Sequence, residues 1–578
     1  MARRGSSRGS YSKGGKGRAP RATDRGSSRA HVTNRPQIVV ILFLAVCAVL
    51  FCRLFYLQVI VAQEYSENAV NSRTTEIEVT PRRGTIFDRN GNVLATSVDA
   101  TTVYVNPREV TDASNEAAQI ASVLGGKKKD YLDALTNTDT TFAYVKRKAD
   151  VEKAAKLRDL ELDGIYFIDD TRREYPCGKI GGQVIGFCGV DGNGITGLEL
   201  YYDDILAGTP GELTYEHGGD GTPIPGGLHE KTAAVDGQDI MISLDLEMQS
   251  QVEEYLEDWS DKLGCDTNCI LMDGETGEIY AAASLPLFNP ADTSKVKEGA
   301  TSIWGINSLF EPGSIFKTAT ALALLETETM GVNDKIFCPS EIEADEYTVS
   351  DAHDRDDETL TLKQIIAQSS NVGVSLAAEK MGFDKLYEKL KVYKFAQTTG
   401  VDYPGEASGV LTDQKEWSKI QSYNVSFGQG VSVTALQMVR FYGALVNDGV
   451  ECTPHFLIYK PQSDETPTYE TYQVVENKKA ISKTVKLLRG VVTDGTGTPA
   501  AIDGYDVAGK TGTAEVAADE GGYKEGVYNI SFTGFIANSS SKLVCYVGAH
   551  EMDAEGNVSP IFKDIMTSAI DRYKIVPE

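Results

Sequence analysis

Histidine is scarce in this chain, with six among 578 residues, and tryptophan is scarcer still, with three. The histidines do not cluster with the nine cysteines, which argues against zinc ligation. Cys47 and Cys52 fall in an apolar run, leaving seven cysteines elsewhere at irregular spacing, and an odd count of that kind is no disulfide framework. Cys265 can pair with Cys269 and Cys177 with Cys188, but free buried thiols fit equally well. No internal repeat is found. Acid is nearly missing from the start of the chain: residues 1–35 carry ten Lys/Arg against Asp24 alone, a charge of +9. With −27 overall, the remainder is −27 − 9 = −36. That basic head is rich in Gly and Ser and poor in apolar residues, which predicts disorder.

An apolar run follows, "PQIVVILFLAVCAVLFCRLFYLQVIVA", Pro36 to Ala62, interrupted by one charge, Arg53. Roughly 20 apolar residues span a bilayer, and Arg53 can snorkel from near one face. A cleaved signal peptide has a shorter apolar region and a small-x-small site. The run therefore reads as an uncleaved anchor, with the basic head cytoplasmic and the rest outside. No second run of that length follows, so a single-pass protein with a large acidic exterior is expected. A basic tail can also mark nucleic-acid binding, but beside this anchor it reads as a topology signal.

The length exceeds one core, so two or three domains are expected. From about Arg73 to Asp236 the pattern is of short alternating segments broken by turns, including Asn90-Gly91, a hairpin signal, and a glycine pair at Gly218-Gly219. This reads as an extended, strand-rich, non-catalytic module. "DRNGNV" from Asp88 fails as a calcium loop, because Val93 stands where glycine is needed. An amphipathic helix is expected through Met248, Val252, Tyr255, Leu256 and Trp259. Two strands surround a turn at Gly274 to Gly277, helices fill about 314–445, and strands return from about 505. The final domain thus draws one sheet from both of its ends. The densest charge run, Glu341 to Glu358, has nine acids and one arginine and reads as a solvated loop rather than a metal site.

Three short stretches carry chemistry. In "EPGSIFKTAT", Ser314 and Lys317 stand three apart at the mouth of an Ala/Leu-rich helix and share a face. The bland reading is an N-cap with a solvent lysine. The sharper reading is a serine nucleophile with an amine base whose pKa burial lowers, beside the free N–H groups of a helix start. "AQSSNVG" supplies Ser369-Ser370-Asn371, otherwise a helix-terminal turn. "VAGKTGTAE" supplies Lys510-Thr511-Gly512-Thr513, otherwise an edge strand. S-x-x-K, S-D-N and K-T-G in this order mark class A β-lactamases and penicillin-binding proteins; here the middle motif is S-S-N.

The resemblance covers about Val39 to Ala549. "RRGTIFDRNGNVLA" is similar to the R-G-x-I-x-D-R-x-G element of class B penicillin-binding proteins, through Arg83, Gly84, Ile86, Asp88, Arg89 and Gly91. "REYPCGKIGGQVIGFCGVDGNGITGLELYYDDILAGTPG" resembles their later pedestal segment, through Arg173, Tyr175, Pro176, Gly194, Gly197 and Glu199. "SFGQGVSVTALQM" resembles a further stretch of the transpeptidase domain. Ile315-Phe316, and "SFTGFIA" where Val often follows Phe, depart slightly from the family pattern.

The resemblance implies an α+β multi-domain chain: a basic tail over 1–35, a transmembrane anchor over 36–62, a strand-rich pedestal (dimerisation-type) domain over 63–238, and a β-lactamase-like transpeptidase domain over 239–578 with helices around an antiparallel sheet. It implies a serine D,D-transpeptidase that cross-links stem peptides ending in D-Ala-D-Ala and is acylated by β-lactams. Ser314 would be the nucleophile and Lys317 its proton acceptor. Ser369 would relay a proton to the leaving amine, and Asn371 would bond the substrate's amide. Lys510, Thr511 and Thr513 would bind the terminal carboxylate, with Gly512 leaving room for substrate along the strand. The N–H groups of Ser314 and Thr513 would form the oxyanion hole. Strand alternation puts Lys510 on the face opposite Thr511 and Thr513, so its side chain must bend around the edge. No metal or cofactor is implied. The implied partners are a polytopic membrane glycosyltransferase and other division proteins, with division or sporulation favoured over elongation. A β-lactamase or D,D-carboxypeptidase would not need so large a pedestal, a β-lactam sensor usually has several spans, and intact motifs argue against a non-catalytic scaffold.

Overall fold

The computed structural model describes residues 35–63, 74–216, 229–518, 522–553 and 556–577. Residues 1–34 of the expected basic tail and the Gly218-Gly219 turn lie outside the described residues. The chain divides into two compact units, residues 1–76 with 214–230, and residues 77–213 with 231–578.

The first unit contains helix α1 (Arg35–Phe55), which runs into a wider π-helical turn, Tyr56–Ile60. Gln37–Ile60 is long and apolar enough to cross a membrane, and it is the one such helix among the described residues. Its large apolar side chains are exposed along its length, as lipid contact requires.

In the second unit, strand β1 (Ile86–Phe87) turns back into the long strand β2 (Val93–Val105) at the expected Asn90-Gly91 signal. Asp88 builds the turn: its carboxylate accepts the N–H groups of Asn90 at 2.8 Å and Asn92 at 2.7 Å. The aspartate of the apparent calcium motif is thus spent on its own backbone. The far half of β2 pairs with β3 (Ala143–Ala149) on one side and β4 (Ile165–Glu174) on the other. Helices α2 (Ala113–Leu124), α3 (Lys129–Thr136) and α4 (Val151–Arg158) cover one face, around Val103, Ile120, Leu135 and Leu157. The strand-rich module therefore also carries helices, three short ones between Gly182 and Leu206 besides these.

A buried ion cluster ties the family-like residues of this module together. Glu199 is fully buried and accepts from Arg83 Nε and Arg173 Nε, each at 2.6 Å. Arg83 also pairs with Asp203 at 2.6 Å. Strand β5 (Ile240–Ile242) pairs in parallel with β1 and in antiparallel fashion with Leu457–Tyr459, so one sheet runs from the pedestal into the catalytic region. Buried Asp402 reinforces that joint, accepting from Tyr202 Oη at 2.5 Å and from the N–H groups of Phe456 and Leu457.

Helix α5 (Leu246–Leu263) is capped by Asp245, which accepts from Glu247 and Met248 N–H, and it ends at left-handed Gly264. Met248, Val252 and Leu256 on its inner face are fully buried, each contributing roughly 1.5–3 kcal/mol. They pack on a five-stranded antiparallel sheet. Strands β6 (Thr267–Asp273) and β7 (Ile279–Ser284) come from the start of the domain. Strands β8 (Asp506–Ala517), β9 (Tyr523–Ala537) and β10 (Leu543–Met552) come from its end, giving the order β7-β6-β10-β9-β8. The sheet is built from both ends of the segment, with β8 at its edge. All nine cysteines are free thiols: Cys265 and Cys177 do not bond Cys269 and Cys188, and Cys269 Sγ lies 3.9 Å from Cys545 Sγ instead.

Candidate active site

Ser314 lies on a single 3-10 turn, Gly313–Phe316, that feeds helix α6 (Lys317–Glu326). Gly313 makes the entry possible. Its φ of +54° is a left-handed conformation, and a Cβ there would sit 2.5 Å from the Thr513 carbonyl oxygen. The turn that carries Ser314 is therefore pressed directly against strand β8. Nine of the ten α6 residues are buried, Lys317 among them. A lysine on the inner face of an Ala/Leu helix has no route to solvent, which rules out the N-cap-with-surface-lysine reading.

Lys317 Nζ donates to Ser369 O at 2.5 Å, to Asn371 Oδ1 at 2.6 Å and to Ser369 Oγ at 3.2 Å. No hydrogen bond joins it to the Ser314 hydroxyl among the described residues, so the amine is turned to the middle motif. Lys510 Nζ reaches the same Ser369 Oγ at 3.1 Å, and it also donates to Thr511 O and Thr511 Oγ1 at 3.0 and 3.2 Å. The long side chain bends toward its neighbour's face as strand alternation required. Two buried amines thus meet at one hydroxyl. Burial brings Lys317 down to about 7, against the opposing pull of the Asp351 carboxylate. Burial, then the adjacent Lys317, holds Lys510 well below the usual lysine range.

The middle motif sits where helix α7 (Leu362–Ala367) gives way to helix α8 (Asn371–Met381). Ser369 holds a left-handed φ of +61°, a strained conformation for a residue with a side chain. Ser370 caps α8 by accepting from Gly373 N–H at 2.9 Å. Asn371 is engaged at both ends of its amide, accepting from Lys317 and donating to Ser350 O at 3.0 Å.

Ser314, Ser369, Asn371, Thr511, Gly512 and Thr513 share the wall of one cleft of about 1220 Å³. Thr513 is exposed to it, and Thr511 Oγ1 is held by Thr496 Oγ1 at 2.6 Å. Packing also requires glycine at 512. A Cβ there would fall 2.3 Å from Ser531 Oγ and 3.0 Å from Ile315 Cγ2. The Ser531 hydroxyl of β9, Ile315 and the Pro312 carbonyl crowd the space that a side chain would need.

Sequence reasoning missed three groups at this site. Thr496 follows helix α9 (Lys478–Asp494) and carries no motif. Glu311 accepts from Gly430 N–H at 2.8 Å and from Tyr523 Oη at 3.0 Å, joining the nucleophile turn to the mouth of the cleft. Asp351 and Arg355 belong to the acidic run, which is not simply a solvated loop. Glu341–Ala344 pairs with Tyr347–Ser350, and Glu358–Thr361 pairs with Lys335–Cys338. Between these ribbons Asp351 turns inward, and composition alone could not single it out from eight other acids. No group of three or more potential metal ligands is assembled among the described residues.

Two family models match the chain: the penicillin binding protein transpeptidase domain over residues 267–567 and the penicillin-binding protein dimerisation domain over 78–242. Stage V sporulation protein D of Bacillus subtilis is 31% identical over 95% of this chain and 87% of its own length. Penicillin-binding protein PbpB of Mycolicibacterium smegmatis is 30% identical over 92% of this chain and 89% of its own. Among solved structures, penicillin binding protein 3 from Mycobacterium tuberculosis, complexed with aztreonam, superposes with a TM-score of 0.68. It is 26% identical and covers 87% of this chain and 98% of its own. Both folded regions are matched together, and the chain belongs to the class B penicillin-binding proteins.

Proposed function

We propose that this protein is a peptidoglycan D,D-transpeptidase that works through a serine acyl-enzyme and is acylated by β-lactams. The observation that carries the reading is the convergence of the Lys317 and Lys510 amines on the Ser369 hydroxyl, in the wall of the cleft that also holds Ser314. An amine brought down to about 7 has a large neutral fraction at physiological pH and can act as a base.

Ser314 Oγ attacks the penultimate D-Ala carbonyl of a donor stem peptide and Lys317 takes its proton. The tetrahedral oxygen is held by the N–H groups of Ser314 and Thr513. Collapse breaks the peptide bond, and the departing terminal D-Ala amine takes a proton through Ser369, leaving an ester on Ser314. An acceptor amine attacks that ester, the new peptide bond forms, and the proton returns to Ser314. Lys510, Thr511 and Thr513 hold the terminal carboxylate, with Thr496 fixing the Thr511 hydroxyl. Asn371 orients both the Lys317 amine and the donor's amide.

The basic residues 1–35 lie in the cytoplasm and the folded domains outside. A polytopic membrane glycosyltransferase supplies the glycan strands and meets this chain through the pedestal. The likeness to a sporulation protein and to a relative named peptidoglycan D,D-transpeptidase FtsI of Buchnera aphidicola supports septal or spore wall synthesis.

The test is to incubate the detergent-solubilised full chain with a fluorescent penicillin and follow label gained and lost. Labelling that persists for many minutes and vanishes in Ser314→Ala supports the transpeptidase. Rapid loss of label moves the assignment to a hydrolase, and a folded protein that takes no label overturns the catalytic reading.

A further inference from the structure

Asp351 lies outside all three motifs, yet its carboxylate gathers three donors. Oδ1 accepts from Val372 N–H at 2.9 Å, while Oδ2 accepts from Ser370 Oγ at 2.7 Å and from Arg355 Nε at 2.6 Å. Only a tenth of the side chain is exposed. Val372 and Ser370 flank Asn371, and Ser350, one residue before Asp351, accepts the Asn371 amide hydrogen. The middle motif is thus gripped from one side by consecutive residues of a loop that the motif itself does not contain.

Arg355 fixes that loop in turn. Its Nη1 donates to Cys338 O at 2.9 Å and Asp356 O at 3.0 Å, and its Nη2 donates to Pro339 O at 2.8 Å. A guanidinium with every nitrogen engaged is a rigid support. The carboxylate also stands at the start of α8, where the helix dipole favours negative charge. Ser369, immediately before this grip, holds its left-handed conformation, which persists only where the surroundings impose it.

We propose that Asp351, braced by Arg355, is a positioning residue that holds the Ser369–Asn371 turn against the Lys317 amine and sets the charge balance around that amine. This rests on the acyl-enzyme reading above and deepens it. The charged groups around Lys317 are Lys510 from β8 and, behind the turn, Asp351 with Arg355. Burial and the Val372, Ser370 and Arg355 bonds act in opposite directions on Asp351, and the bonds win, keeping its carboxyl below the usual range. It therefore stays ionised through neutral pH and favours the protonated form of Lys317.

Asp351→Asn separates positioning from mere folding. An amide offers one acceptor oxygen where three donors converge on two, so at least one bond is lost. The charge opposing Lys317 deprotonation is lost as well. The rate constant for acylation of the solubilised full chain by a fluorescent penicillin would be followed from pH 5 to 9. The plateau is expected to fall roughly tenfold, as loss of a charge-assisted hydrogen bond predicts, and the acid limb is expected to move to lower pH. Asp356→Asn, which removes a charge from an exposed position on the same loop, is expected to leave both unchanged. An Asp351→Asn plateau within twofold of wild type overturns the proposal, and so does a fall in rate with the acid limb unmoved, since a structural role alone would do that. If Asp351→Asn does not fold, Arg355→Lys keeps the charge but not the fork; an unchanged plateau there overturns the proposal equally. A wild-type chain that takes no label overturns the transpeptidase reading first and this one with it, whereas a labelled wild type with an indifferent Asp351→Asn overturns this one alone.

Discussion

Replacing Lys317 by methionine should abolish acylation and stabilise the protein at pH 6. The side chain is fully buried, and burial lowers its amine from the ordinary 10.5 to about 7, a difference of 10.5 − 7 = 3.5. At about 1.4 kcal/mol per unit, the native state carries a cost of about 5 kcal/mol. Because the folded value is the lower one, the unfolded chain binds more protons between pH 7 and 10.5, so the cost is full below pH 7 and fades as pH rises toward 10.5. Methionine has similar length and no charge, and it relieves Lys510 of a neighbouring cation. It also strips Ser369 O and Asn371 Oδ1 of their donor, which costs about 1–3 kcal/mol. The net expectation is a variant about 2–4 kcal/mol more stable at pH 6, with the gap narrowing by about 3 kcal/mol at pH 9. Calorimetric melting of both proteins at the two pH values measures this. A variant less stable at pH 6, or a gap indifferent to pH, would show that the amine is solvated and would remove the physical basis for its role as a base.

The wild-type acylation rate should fall about tenfold per pH unit below 7, because only the neutral Lys317 amine takes the serine proton; a flat profile from pH 5 to 8 would contradict this. Gly512→Ala should cost about 1–3 kcal/mol by overpacking, since its Cβ would meet Ser531 Oγ at 2.3 Å, and it should slow labelling by shifting Ile315 beside the nucleophile. Adding Ser531→Ala should restore part of the melting temperature, and no recovery would mean that the clash lies with Ile315 or Pro312 instead. Arg83→Ala should destabilise the pedestal by about 3–5 kcal/mol, because it leaves fully buried Glu199 with one of its two cations, Arg173; thermal unfolding that matches wild type would refute the buried-cluster account.

What was legible in the sequence follows from where each signal lives. Lys317 could be singled out because its motif stands in order with two others, and the strand pattern at both ends of the domain predicted the sheet that β6, β7 and β8 to β10 form. The bend of Lys510 followed from alternation along one strand. Asp351 was hidden because its partners lie 19 and 21 residues away across a turn, and nine acids in one run look alike until one of them faces a helix start. Cysteine spacing left pairs and free thiols both open for the same reason: Cys269 is four residues from Cys265, but its sulfur neighbour is Cys545, brought alongside by the pairing of β6 with β10.

Gly512 is the most instructive case, because packing within the domain demands a glycine there in addition to any ligand along the strand. A motif glycine on an edge strand suggests a ligand lying along that strand. Here the missing side chain also makes room for Ser531 of the neighbouring strand, and for Ile315 and the Pro312 carbonyl beside Ser314. Gly313, pressed against Thr513 O, serves the same contact from the other side. The two glycines let a helix start and a strand edge approach closely, as the oxyanion hole proposed above requires of the Ser314 and Thr513 N–H groups. Close backbone approach is therefore what the glycines of both motifs provide, while Thr511 and Thr513 line the cleft, the Thr511 hydroxyl held there by Thr496.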